Sequence, residues 1–190
     1  QGMVKINIHD LRDWTEDRHR TIDDTPYGGG AGMIFKVEPL YKCLTELMQG
    51  AGDRVKIMLT SPQGRLFDQP EAVKSSMLDH IVLICGHYKG VDERIKKFFP
   101  IEEVSIGDVV LSGGEIAALV LIDAVVRLLD ALLRRGLLEP RQEVFVQQPA
   151  GLGFAGQVGE LLEIERDAVR ARDDLVGQGF VADLSPWIDV

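Results

Sequence analysis

Three short apolar runs, each leading into a glycine-bearing turn, constrain the fold more than any other feature of this chain. RVKIMLT (54–60) runs into SPQG, HIVLIC (80–85) into GHYKGVDER, and VSIGDVVLS (104–112) into GGE. Runs this short and this apolar are strands buried on both faces, as in parallel sheets. Helical spacing fills the intervals. Val37, Leu40, Leu44, Leu47 and Met48 make one apolar stripe, closed by Gly50, and 70–78 reads as a short helix. From Glu115 to Arg135 the pattern is a long apolar helix, with Arg134 and Arg135 in its last turn and Gly136 beyond it. MVKINIH (3–9) opens the chain as a further strand. The alternation predicts an α/β domain with a mostly parallel sheet and helices on both faces.

Ligands in open parallel sheets sit beyond the carboxyl ends of the strands, where glycine lets backbone groups approach closely. Three such turns on three strands predict one binding crevice. Neither GxxxxGK[ST] nor a strand-bound GxGxxG occurs, so a polyphosphate cradle is a poor fit. The stretch 12–32, RDWTEDRHRTIDDTPYGGGAG, is too long and too rich in glycine for an ordinary connection and reads as a functional loop.

The chain changes character after Gly136. EVFVQQ (143–148) could form one more strand, PAGLGFAGQVG is a flexible segment, and 159–178 has the spacing of an amphipathic helix. We expect a domain at 3–136 and an acidic C-terminal extension, a strand/helix appendage, at 137–190. From Glu139 onward ten acids face four arginines, so this part supplies −6 of the net charge of −9. That balance argues against wholesale non-specific nucleic-acid binding but leaves room for a local RNA face in the first part. The longest apolar run, 116–126, is interrupted by Asp123 and too short to span a bilayer. With no secretory pattern at the start and only two isolated cysteines, Cys43 and Cys85, a cytoplasmic protein with buried thiols is expected. No CxxC or HxxxH suggests a metal site.

DRHRTIDDTPYGGGAGM, LTSPQGR, CGHYKGVDER and SIGDVVLSGGE followed by LIDAVVR together resemble the bacterial tRNA (guanine-N1)-methyltransferases of the SPOUT class, over about 4–129. The resemblance implies a deep trefoil knot, S-adenosylmethionine as cofactor, and tRNA as substrate, methylated at N1 of the guanosine 3′ to the anticodon. It also implies a homodimer with each active site at the subunit interface. Carried over position by position, the cofactor pocket would be formed by Leu59, Ser61, Pro62, Gly64, Gly86, Tyr88, Gly90, Ile106, Leu111, Gly113 and Gly114. Arg127 matches the catalytic arginine, which stabilises charge growing on the guanine oxygen. The bland alternative is a helix-face arginine paired with Asp123 or Asp130. The resemblance implies that the glycine loop, with Asp23, Tyr27, Gly28, Gly29 and Gly30, wraps the target guanosine, and Arg18, His19 and Arg20 just before it could meet phosphates of the RNA. Asp92 stays a site candidate by its motif, whereas Glu93 reads better as an acid at a helix start.

The chain also departs from that family. Nothing here matches the family's first strand and its Leu-Phe-Pro turn, so we expect a domain short of a central strand and less stable unless the tail or a partner fills the gap. Lys89 stands where the family carries glutamate. Two like charges at about 4 Å repel by about 4 kcal/mol at an effective dielectric of about 20, so Lys89 must point away from a sulfonium. The family's catalytic Asp-Ser-Phe segment is replaced by LLEPRQEVFVQQPAG, where Glu139 and Glu143 are the available acids. The family's helical tRNA-gripping domain has no counterpart in the tail. These differences support a competing expectation: a SPOUT-like module that binds cofactor or RNA, or dimerises, without catalysing transfer.

Overall fold

The computed structural model describes residues 4–26, 29, 31–87, 90–134 and 142–148, with backbone only at 130–134 and 142–148. All of them belong to one compact unit, Gln1–Leu152. In chain order the elements are β1 (Val4–Asp10), β2 (Asp23–Asp24), β3 (Ile34–Phe35), α1 (Val37–Leu47), β4 (Val55–Leu66), α2 (Gln69–Ser75), β5 (His80–Cys85), β6 (Ile101–Ser105), α3 (Glu115–Arg134) and β7 (Gln142–Gln148). Two 3-10 turns, Leu11–Trp14 and Glu93–Lys97, complete the set. The helix expected at 159–178 lies outside the described residues.

Five strands form one parallel sheet in the order β1-β7-β5-β4-β6, and β2 pairs with β3 in a separate antiparallel ribbon. Alternation along the strands sends successive side chains to opposite faces. Ile57 and Leu59 of β4, with Val82 and Ile84 of β5, join Leu40, Cys43 and Leu44 of α1 in a core that also takes in Leu11, Phe35 and Ile95. Met58, Ile81 and Leu83 instead meet Leu121, Ile122 and Val125 of α3. The helices therefore cover both faces, and each aliphatic side chain buried between them contributes roughly 1.5–3 kcal/mol. Both thiols are buried in this core. Burial pushes Cys43 up to about 12 and raises Cys85 as well, so neither is reactive.

Three boundaries differ from the sequence expectation. β4 does not end at Thr60: it continues to Leu66 across a register shift against β6, between Thr60 and Arg65. SPQG is thus an irregular strand segment rather than a free turn. β6 stops at Ser105, and the apolar Val109, Val110 and Leu111 lie exposed in the connection that follows. Their hydrophobicity mimicked strand continuation, but among the described residues no strand pairs with them. Finally, β7 enters the interior of the sheet between β1 and β5, so the sheet extends past position 136.

Candidate functional site

Parallel register brings three strand ends side by side, because Thr60 of β4 is level with Cys85 of β5 and with Val104 of β6. Three hydrogen bonds then lock the segments that follow. The Thr60 hydroxyl donates to the Ile84 carbonyl at 3.2 Å and accepts from the Gly86 amide at 3.2 Å. The Gly114 amide donates to the Gly86 carbonyl at 2.8 Å, which ties the start of α3 to the second turn. Gly114 has no room for a side chain: a Cβ there would stand 1.9 Å from Thr60 Oγ1 and 2.7 Å from the Gly86 nitrogen. Gly64 is equally confined, since its Cβ would meet the Val104 nitrogen at 2.4 Å.

Between these segments lies one open cavity of about 430 Å³, within the size range of small-molecule sites. The first segment lines it with Leu59, Ser61 and Pro62, the second with Gly86 and Gly90, the third with Ile106, Leu111, Gly113 and Gly114. Gly64 is not among the lining residues; it packs against β6 instead. Tyr88 and Lys89 lie outside the described residues. Sequence reasoning missed Thr60, His87, Glu93 and Glu103, which belong to the cavity wall. Glu103 follows the strand alternation of β6 and was hidden by a reading that placed the strand later.

Charge in this wall is one-sided. Among its described residues the acids are Glu93 and Glu103, and there is no lysine or arginine. Both share Lys96, which is 2.9 Å from Glu93 Oε1 and also bonds Glu103. The hydrogen bond from Lys96 outweighs partial burial and holds the Glu103 carboxyl below the usual range. Asp92, a site candidate by motif, points elsewhere. Its carboxylate caps the 3-10 turn by accepting from the Arg94 amide at 3.0 Å and is paired with the Arg94 guanidinium at 2.6 Å. Glu93, read as a simple helix-start acid, is the one that reaches the cavity.

The loop expected to meet RNA is joined to this cavity by its base. Phe35 of β3 donates to the Gly90 carbonyl at 3.1 Å and accepts from the Asp92 amide at 3.2 Å. The loop therefore hangs from the second turn. Asp23 is paired across the ribbon with Phe35, while Arg18, His19 and Gly29 are exposed. Arg20 is held against the preceding turn, by an ion pair with Asp13 and a 3.1 Å bond from its Nε to the Arg12 carbonyl. Tyr27, Gly28 and Gly30 lie outside the described residues.

Arg127 stands apart from the cavity. It is exposed on α3, ten residues beyond Ala117, which lines the cavity wall. At 1.5 Å per residue this is about 15 Å along the helix. No ion pair with Asp123 occurs among the described residues. Among them, no cluster of three or more potential metal ligands is found, and no helix is long and apolar enough to cross a membrane. Of the two acids offered for the missing aspartate segment, Glu139 lies outside the described residues and Glu143 belongs to β7.

Comparison with known proteins places the chain among relatives. Residues 1–146 match the family model described as tRNA (Guanine-1)-methyltransferase TrmD. Three similar proteins carry the name tRNA (guanine-N(1)-)-methyltransferase. That of Koribacter versatilis is 50% identical over 135 residues, 70% of this chain and 51% of the relative. That of Dictyoglomus turgidum is 50% identical over 133 residues, 70% and 53%. That of Geobacter metallireducens is 47% identical over 133 residues, 70% and 54%. The chain spans about half the length of the curated relatives it matches.

Proposed function

The chain belongs to the tRNA (guanine-1)-methyltransferase family, and from that premise we propose that it methylates N1 of the guanosine 3′ to the anticodon of tRNA, in the cytoplasm, with S-adenosylmethionine as donor. The observation that carries the reading is the cavity built where three strand ends meet, whose described lining holds two acids and no lysine or arginine. Such a wall suits a cationic donor and would oppose a polyphosphate. Leu59, Gly86, Gly113 and Gly114 line the cavity and would meet the adenosine part, with Gly86 and Gly114 held in place by their own hydrogen bond. The knotted arrangement of the SPOUT class is part of the same proposal.

When bound, the donor supplies an electrophilic methyl group on sulfonium. The protein's part is to orient and to balance charge. The loop hung from Phe35 would present the target guanosine to the cavity, with Arg18 and His19 near the backbone phosphates. Arg127 would hold the negative charge that grows on the guanine oxygen as N1 loses its proton. Its distance from the cavity of its own chain supports a homodimer in which Arg127 serves the partner's cavity. The exposed Val109, Val110, Ile116 and Val120, near the cavity and along the first half of α3, offer the apolar surface such a dimer would cover.

Titration with S-adenosylmethionine followed by methyl transfer to unmodified tRNA tests the reading. Saturable binding and transfer are expected. Arg127→Ala should leave donor affinity within about twofold and reduce transfer by about 10²–10³, the usual effect of losing one charge-stabilising group. Absence of donor binding would overturn the proposal, and transfer unaffected by Arg127→Ala would remove that residue from the chemistry.

A further inference from the structure

A second hollow opens beside the turn that bounds the donor cavity. Consecutive residues of that turn divide between the two: Gly90, Val91 and Glu93 line the cavity, while Asp92, Arg94, Lys97 and Phe98 line the groove. The groove is open, with a volume of about 910 Å³, and its other wall is the base of the glycine loop, residues 24–26 and 34–38. The hydrogen bonds of Phe35 to Gly90 and Asp92 join the two walls.

Charge separates the two hollows. The described wall of the donor cavity has no lysine or arginine, whereas the groove carries Lys36, Arg94 and Lys97. Its acids are engaged elsewhere. Asp92 is paired with Arg94 at 2.6 Å and Glu38 with Lys42 at 2.8 Å, and Asp24 accepts from the Thr25 amide at 2.7 Å. Lys36 and Lys97 form no ion pair among the described residues, although Lys36 also acts on Asp17 through space. The same groove holds Phe98, which is 59% exposed. Its neighbour Phe99 packs against the core, and Tyr41 meets the Phe98 ring edge to face at 5.1 Å. Tyr41 thus props the ring in place without burying it. A fixed, accessible aromatic among cations is the combination that holds single-stranded nucleic acid, because bases stack on the ring and phosphates meet the charges. A protein partner would have to bury both lysines, which the cores of interfaces disfavour.

We propose that this groove is a second RNA contact, which takes an unpaired nucleotide next to the target: Phe98 stacks on its base, and Lys36 and Lys97 meet the phosphates that flank it. This assignment rests on the reading of the glycine loop as the part that receives tRNA. It gives the loop two differently charged sides, one for the sulfonium and one for the polyanion.

The test is equilibrium binding of an unmodified anticodon stem-loop RNA at several salt concentrations. The proteins are the wild type, Phe98→Ala, Phe98→Trp and the double variant Lys36→Gln/Lys97→Gln. Calorimetric binding of S-adenosylmethionine, thermal unfolding and sedimentation are run beside it. Phe98→Ala should weaken RNA binding about tenfold, while Phe98→Trp, which keeps a stacking surface, stays within about twofold. The double variant should lower the slope of log affinity against log salt by about 1.4, the value for two phosphates of a single strand. Donor affinity should stay within about twofold in all of them. RNA affinity and salt slope unchanged by every variant overturn the proposal. Equal losses of RNA and donor binding, or a Phe98→Ala variant that changes oligomeric state, also overturn it, by assigning the patch to the fold or to an interface between copies. A wild-type protein that binds the donor but no RNA would instead defeat the reading of the loop, and the groove with it.

Discussion

At Gly114 a single hydrogen atom separates three segments of chain. Replacing it with a methyl group would force Thr60 Oγ1, the Gly86 amide and the Cys85 Cα apart, since all three stand within 2.8 Å of the new atom. Two of these neighbours are backbone and cannot rotate away. Gly114→Ala should cost about 3 kcal/mol or more by overpacking, read as a lower denaturant midpoint, and donor binding should fall with it. Gly113 is different, although its sequence position suggests the same role. The first atom a side chain there would meet is the end of the Glu115 side chain, which can move. The doubled glycine is visible in the sequence and signals a close approach. Which glycine faces backbone and which faces a carboxylate is a tertiary fact that no local pattern encodes.

Among the elements, β4, α2 and β6 are pinned by one ion cluster. Glu71 of α2, only 2% exposed, bonds Lys56 of β4 and is paired with Arg65 at 2.6 Å, and Lys56 also reaches Glu102 of β6 at 2.9 Å. Burial works to raise the pKa of Glu71, but the hydrogen bonds from Lys56 and Arg65 outweigh it and leave it lowered. A carboxylate with a depressed folded-state pKa adds stability above its unfolded value, near 4.5. That contribution is lost as pH falls through the folded value. Glu71→Gln should destabilise the protein at pH 7 by about 1–3 kcal/mol, since it removes one of the two carboxylates that face the largely buried Lys56 and the partner of Arg65. It should also flatten the decline in stability below pH 4.5, measured by urea unfolding across pH 3–7; an unchanged acid limb would show that other groups govern it. The elements were largely legible from period and composition: α1, α2, α3 and β5 fall within a few residues of expectation. The ends of β4 and β6 were not, because Val109, Val110 and Leu111 have the composition of a strand without a neighbour to pair with. The cavity was legible as three glycine-bearing turns, whereas Glu93 and Glu103 entered it only through the true end of β6.

For the whole molecule, the notable placement is that of β7. EVFVQQ was readable as a strand, but its address in the sheet was not, because parallel pairing between distant segments leaves no short-range trace. It sits between β1 and β5, with Val144 level with Ile6 on one side and Ile81 on the other. The segment 142–148 thereby supplies an interior strand of the sheet. Val144→Pro would remove an amide from the ladder and clash within an interior strand. We expect a loss of at least about 3 kcal/mol and rapid amide exchange throughout Val4–Asp10, while exchange in Val55–Thr60 slows as before. Protection of β1 that survives the substitution would show that it is held by something other than β7.

That arrangement also imposes an order on biosynthesis. β1 leaves the ribosome well before the segment 142–148 and has no permanent place until that segment follows. At 5–20 residues per second the wait is on the order of ten seconds. Throughout that interval β1 and the exposed flank of β5 are open edges of the kind that recruit other chains. Slowing translation late in the message, or shortening the chain before 142, should therefore shift the nascent protein toward aggregates and chaperone-bound forms rather than toward a smaller folded one.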